Sequence, residues 1–119
     1  LFAALGGTAL ASGSLSSTPS AKRHTLHIYK LAATSGGTVL HESGVAHVSH
    51  STGTGVYDVT MKHSVANCVE VASIGDSSAP TGLIAAYGAP SVSPRTVRVR
   101  TFDATGTAAD RTFQLIVDC

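Results

Sequence analysis

Six histidines fall in a chain of 119 residues: His24, His27, His41, His47, His50 and His63. Neutral imidazole is the commonest protein ligand for metals and titrates close to neutrality. A zinc site needs three or four ligands converging from the correct faces. The spacing here works against one. His24/His27 and His47/His50 are three apart, and in an extended strand positions i and i+3 point to opposite faces unless a bulge intervenes. No His-x-His or His-x-x-x-His occurs. The six read as exposed strand-face histidines serving as uncharged hydrogen-bonding groups, with a pH-responsive surface as the functional variant. No metal site and no cofactor is expected.

The sequence holds two cysteines, Cys68 at the head of an apolar run and Cys119 as the last residue. Alone they cannot build a zinc site. An even count in an exported domain points to one disulfide. Closing a loop of about 50 residues stabilises by roughly 4 kcal/mol in the chain-entropy model, and it would tie down a fraying end. The other reading is two separate thiols, one buried and one exposed.

Nucleophilic catalysis needs an activated Ser or Cys, a base and an orienting group. Ser, His and Asp are plentiful, but no G-x-S-x-G is present. No G-x-x-x-x-G-K-[ST] or G-x-G-x-x-G precedes a helix pattern, and Gly53-x-Gly55 reads as a turn. Asp and Glu total seven and sit mostly at turns, so no convergent acid/base pair is assigned. No catalytic residue is expected, and the chain is not read as an enzyme. Arg95, Arg98, Arg100 and Arg111 read as one charged solvent face that keeps a strand from pairing wrongly. The sharper alternative pairs Arg98 or Arg100 with Asp103, Asp110 or Asp118. A carbohydrate or nucleic-acid groove wants aromatics interleaved with arginines, and only Phe102 stands near them in sequence.

The elements that would position these groups are strands. From residue 24 onward the period is two, with no amphipathic helical stretch of 10–15 residues. Strand patterns run over 24–32, 38–42, 45–50, 56–62, 68–74, 82–87, 96–103 and 112–118, separated by Gly, Ser, Asn and Pro clusters. Tyr57, Val59 and Met61 share one face, as do Val97, Val99 and Thr101, and Phe113, Leu115 and Val117. About eight short strands at such spacing predict an all-β fold, an antiparallel sandwich or small barrel. Hydrophobic residues are 43% but aromatics only 5%, without Trp, so an aliphatic core is expected. Eight basic and seven acidic residues leave a net charge of +1, which argues against a nucleic-acid partner. No apolar run of about 20 residues is present to span a membrane.

Residues 1–21 carry no charge. Leu5 to Ala11 looks like the end of a signal h-region, and Ala9-Leu10-Ala11 resembles an A-x-A cleavage site. Residues 1–15 read as an apolar arm and 12–20 as a Ser/Thr-rich linker, dividing the chain into 1–23 and a β domain at 24–119. Leu1, Phe2, Leu5, Leu10, Leu15, Leu26 and Ile28 are the candidate assembly residues.

Two blocks carry a resemblance. Leu1-Phe2-Ala3-Ala4-Leu5-Gly6-Gly7-Thr8-Ala9 resembles the N-terminal "ALGGTA"-type segment of many exported actinobacterial proteins. Gly55-Val56-Tyr57-Asp58-Val59, Asn67-Cys68, Val97 to Asp103, Ala109 to Phe113 and Val117-Asp118-Cys119 are similar to the small C-terminal β domain of those proteins. Together the blocks span more than half of the chain. The resemblance implies export, a disulfide and a β domain, without a mechanism. No Gly-x-y repeat lies between arm and domain, so a collagen-type stalk is not expected here.

The functional expectation is a secreted structural subunit, extracellular or on the cell surface, whose partners are copies of itself. Residues 1–15, or the strand 24–32, would dock on the open sheet edge of a neighbour and build a pilus-like filament. The alternative is a surface adhesin or phage-fibre-like binding module, forming a closed oligomer, that meets a cell-surface or glycan ligand through loops 75–80 and 88–94.

Overall fold

A computed structural model of the chain describes residues 26–75 and 81–119. Among the described residues, alternation of β-branched and polar residues produces eight strands: β1 (Ile28–Ala33), β2 (Val39–Ser43), β3 (Val45–His50), β4 (Val56–Met61), β5 (Val69–Ile74), β6 (Leu83–Gly88), β7 (Thr96–Phe102) and β8 (Phe113–Asp118). They pair antiparallel in two four-stranded sheets, ordered β2-β1-β8-β5 and β3-β4-β7-β6. The sheets pack on each other as a β-sandwich, the first of the two architectures the alternation allowed.

The central strands supply the core. Leu31 and Ala33 of β1, Tyr57, Val59 and Met61 of β4, Val97 and Val99 of β7, and Phe113, Leu115 and Val117 of β8 are all buried. The period-two faces read from sequence for β4, β7 and β8 are the inward faces. Full burial of each large aliphatic or aromatic side chain contributes about 1.5–3 kcal/mol. The buried Thr101 hydroxyl donates to the Ala109 carbonyl at 2.6 Å, which removes the penalty of a lone polar group.

Two local features set the phase of the strands. Gly44 alone separates β2 in one sheet from β3 in the other, at φ +82°. A side chain there would overlap the Tyr29 ring. The Gly44 carbonyl accepts from Lys62 N–H at 2.8 Å, and Glu42 Oε2 accepts from Val45 N–H at 3.0 Å. Ser43-Gly44 is therefore the point where the chain changes sheets. Immediately after it, the register of β3 on β4 shifts between Val45 and His47. That bulge lets Val45 and Val48, three apart, both contact the core.

The expected strand over 24–32 is β1, starting at Ile28 and ending at Ala33. It lies between β2 and β8 in its own domain. His24, the arm residues Leu1, Phe2, Leu5, Leu10 and Leu15, the linker 12–20, the boundary at 23/24 and most of the 75–80 loop lie outside the described residues.

Candidate functional site

Asp110 and His50 form the most connected polar cluster of the sandwich. Asp110 Oδ1 accepts from His50 Nε2 at 3.0 Å and from Gly55 N–H at 2.8 Å, while Oδ2 accepts from Gly53 N–H at 2.7 Å. Burial works against the Asp110 charge. The Gly53 N–H, His50 and the Gly55 N–H outweigh it and hold the carboxyl below the usual carboxylate range. The His50 ring lies flat on Tyr57, with centroids 4.2 Å apart and planes 8° from parallel. Tyr57 donates its hydroxyl to the Ser35 carbonyl at 2.6 Å and packs against Phe113 at 4.8 Å. Burial first, then the Asp110 charge, pushes the Tyr57 phenol up, so it stays protonated.

This corrects the sequence expectation for one histidine. His27, His41, His47 and His63 are exposed, but the His50 side chain is only 5% exposed. The β3 bulge turns Val48 and His50 inward together and leaves His47 outside, so the two histidines do not converge. Among the described residues no cluster of three or more His, Cys, Asp or Glu could hold a metal. An Asp–His pair can orient a general base, but the only side-chain hydrogen bond His50 makes among the described residues is to Asp110. The cluster clamps the 51–55 turn onto the segment leading into β8.

The arginine pairing also differs from expectation. Arg98 is bound to Asp58, not to Asp103, Asp110 or Asp118: Nε–Oδ1 is 2.7 Å and Nη2–Oδ2 2.8 Å. Asp58 of β4 stands directly opposite Arg98 of β7, a neighbour 40 positions away in the chain. Its hydrogen bonds and charge raise the guanidinium above its ordinary range. Arg100 instead stands over the Phe102 ring at 5.3 Å. Asp103 takes the Thr105 hydroxyl and the Thr105 and Thr107 N–H groups, closing its own turn and lowering its pKa. Arg111 donates to the Thr81 and Asp110 carbonyls at the strand ends, so it does not share the Arg98–Arg100 face.

Cys68 and Cys119 are joined, with Cα atoms 4.4 Å apart. The bond links the start of β5 to the end of β8, where Val69 already faces Asp118. A groove of about 330 Å³ runs beside it, with Glu70 the one ionisable group in its lining.

Of the candidate assembly residues inside the described region, Leu26 is 72% and Ile28 51% exposed. Ile28 belongs to β1 and is paired with Asp118 in its own sheet, so it is part of the domain surface and not of a free arm. Three residues the sequence expectation left out share that outer face. Val71 stands opposite Ile116, and Val69 and Ile28 flank Asp118. Val69, Val71 and Ile116 are 63%, 60% and 49% exposed. A signal for them was present: Ile116 interrupts the alternation of β8 at an outward position that otherwise carries Gln114 and Asp118. β5 pairs with β8 on one side and forms an edge of its sheet on the other.

The described residues define a disulfide-linked β-sandwich of eight strands with exposed aliphatic residues on the outer face of one sheet. No family model, curated protein or solved structure matches the chain.

Proposed function

We propose that the protein is a secreted structural subunit that assembles with copies of itself into an extracellular filament, through its uncharged N-terminal arm. One observation carries this reading: Ile116 and Val71 stand exposed side by side, with Val69 and Ile28 exposed on either side of Asp118, on an outer face that reaches the edge strand β5 and includes Lys30 beside Ile116. Exposed aliphatics on a strand that, among the described residues, has a partner on one side only are what natural sandwiches avoid unless something covers them. Residues 1–21 are uncharged and rich in Leu, Ala, Gly and Ser, chemistry suited to an added strand whose side chains rest on that face. Docking of each arm on the next subunit is head-to-tail, and a head-to-tail contact that does not close on itself makes a fibre.

The disulfide supports an oxidising compartment outside the cytosol. Among the described residues no helix is long and apolar enough to cross a membrane. The test is deletion of residues 1–20. The truncated chain is expected to remain a folded monomer, while the full chain forms fibres visible by electron microscopy. Fibres from the truncated chain would exclude the arm as the connecting element.

A further inference from the structure

The second sheet presents a surface of opposite character. Val97, Val99 and Thr101 of β7 point into the core, so Arg98, Arg100 and Phe102 point outward. The sequence leaves Phe102 as the only aromatic near these arginines. Strand pairing adds a second, because Tyr87 of β6 stands directly beside Arg98 and is 42% exposed. The row continues through Asp58 to Ser49. Phe102 faces Leu83, four positions along β6 from Tyr87, which separates the two aromatic positions by about 13 Å along the strand. Arg100 lies between them.

We infer that this outer face binds an acidic polysaccharide, with the Arg100 guanidinium, seated on the Phe102 ring, taking a carboxylate of the sugar chain and the exposed Tyr87 supporting a neighbouring sugar ring. The two arginines are in different states. Arg98 is held in a fork by Asp58, which fixes the floor of the site and leaves little charge over. Arg100 is exposed, and among the described residues neither ion pair involves it. Its contact with Phe102 orients it without neutralising it. A planar guanidinium matches a carboxylate bidentately.

The shape selects an extended ligand. The groove beside the disulfide reaches only the Gly88 and Thr96 ends of β6 and β7, and that over Leu31, His41 and Leu115 lies on the other sheet, whereas the face of Arg98, Arg100 and Tyr87 is an open sheet surface. A nucleic acid would want a continuous basic stripe. Here Asp58 offsets Arg98, and the net charge of the whole chain is +1. A uronate chain fits better, with sparse carboxylates, many hydroxyls for Asp58 and Ser49, and apolar ring faces for Tyr87. The face belongs to the sheet opposite the aliphatic one, so this inference does not depend on assembly.

The test is calorimetric titration of the full chain with a polygalacturonate oligomer and with a neutral glucan oligomer of equal length. Saturable binding of the polygalacturonate is expected, weakening as salt rises. Arg100→Ala and Tyr87→Ala are each expected to weaken it about tenfold or more, the worth of one charge-assisted hydrogen-bond pair or stacking contact, with unchanged thermal midpoints. Amide shift mapping on the unmodified chain serves if a variant misfolds: the perturbed residues are expected on β6 and β7. Absence of saturable binding, equal binding of the neutral oligomer, full affinity in folded Arg100→Ala, or shifts confined to the other sheet would each overturn the assignment.

Discussion

His50 Nε2 and Asp110 Oδ1 lie 3.0 Å apart across 60 positions of sequence, and this contact closes one end of the sandwich. The same carboxylate caps Gly53 and Gly55, in a turn whose Gly55 carbonyl also accepts from Thr101 N–H at 2.7 Å. Gly55 sits at φ +66°, and a side chain there would overlap the Thr101 carbonyl. Backbone conformation and the charged acceptor therefore act on the same turn.

Asp110→Ala is expected to cost about 1–3 kcal/mol, since it leaves two N–H groups and a buried imidazole without their acceptor. The pH dependence has a definite sign. The folded carboxyl lies below its usual value of 3.8, so its contribution is fully present above that pH and is lost as pH falls through the lower folded value. Urea unfolding between pH 2 and pH 7 is the measurement. Asp110→Asn should show a flatter acid limb than the parent, and an identical limb would remove Asp110 as its origin.

Reducing the disulfide, or replacing Cys68 and Cys119 with Ser, is expected to cost about 4 kcal/mol from the loop it closes, the two residues being 51 apart in sequence. Hydrogen exchange should show β5 losing protection first, because it is an edge strand tied to β8 on one side alone. Uniform loss across both sheets would place the effect in global stability instead.

Gly44→Ala tests the change of sheets. The positive φ and the overlap with Tyr29 predict a loss of about 1–3 kcal/mol. Gly53→Ala has a comparable φ but open space around it, so it should cost less. Thermal unfolding of the pair separates crowding from backbone strain.

Val71→Lys and Ile116→Lys change exposed positions and should alter stability by about 0.5 kcal/mol or less. On the proposed assembly each removes association, read by sedimentation velocity across a concentration series. Undiminished association in both variants would move the contact away from this face.

Much of the strand pattern is legible residue by residue. In β4, Tyr57, Val59 and Met61 alternate with Asp58 and Thr60, and the inward set is buried as the period requires. β8 behaves likewise. His50 was not legible, because a bulge four residues earlier resets which side chains of β3 face inward, and no local composition marks it. The alternative pairing for Arg98 missed its partner for a related reason. Its carboxylate partner lies on the neighbouring strand, and sequence distance ranks Asp103 ahead of Asp58. Ile28 was read on the strand 24–32 of the β domain, and strand pairing places it there, opposite Asp118.

By itself the sequence determined the class of fold and the inward faces of its central strands, and limited any disulfide to Cys68 and Cys119. Those properties follow from side-chain alternation and residue type, which are local. Tertiary structure decided which strands became neighbours, and with that the Asp58–Arg98 fork, the placing of Tyr87 beside the arginines and the gathering of Ile28, Val71 and Ile116 on one face. Each depends on register between strands distant in the chain. Register is set by collective packing of the two sheets and by single-residue devices such as Gly44 and the β3 bulge, which no pairwise spacing encodes.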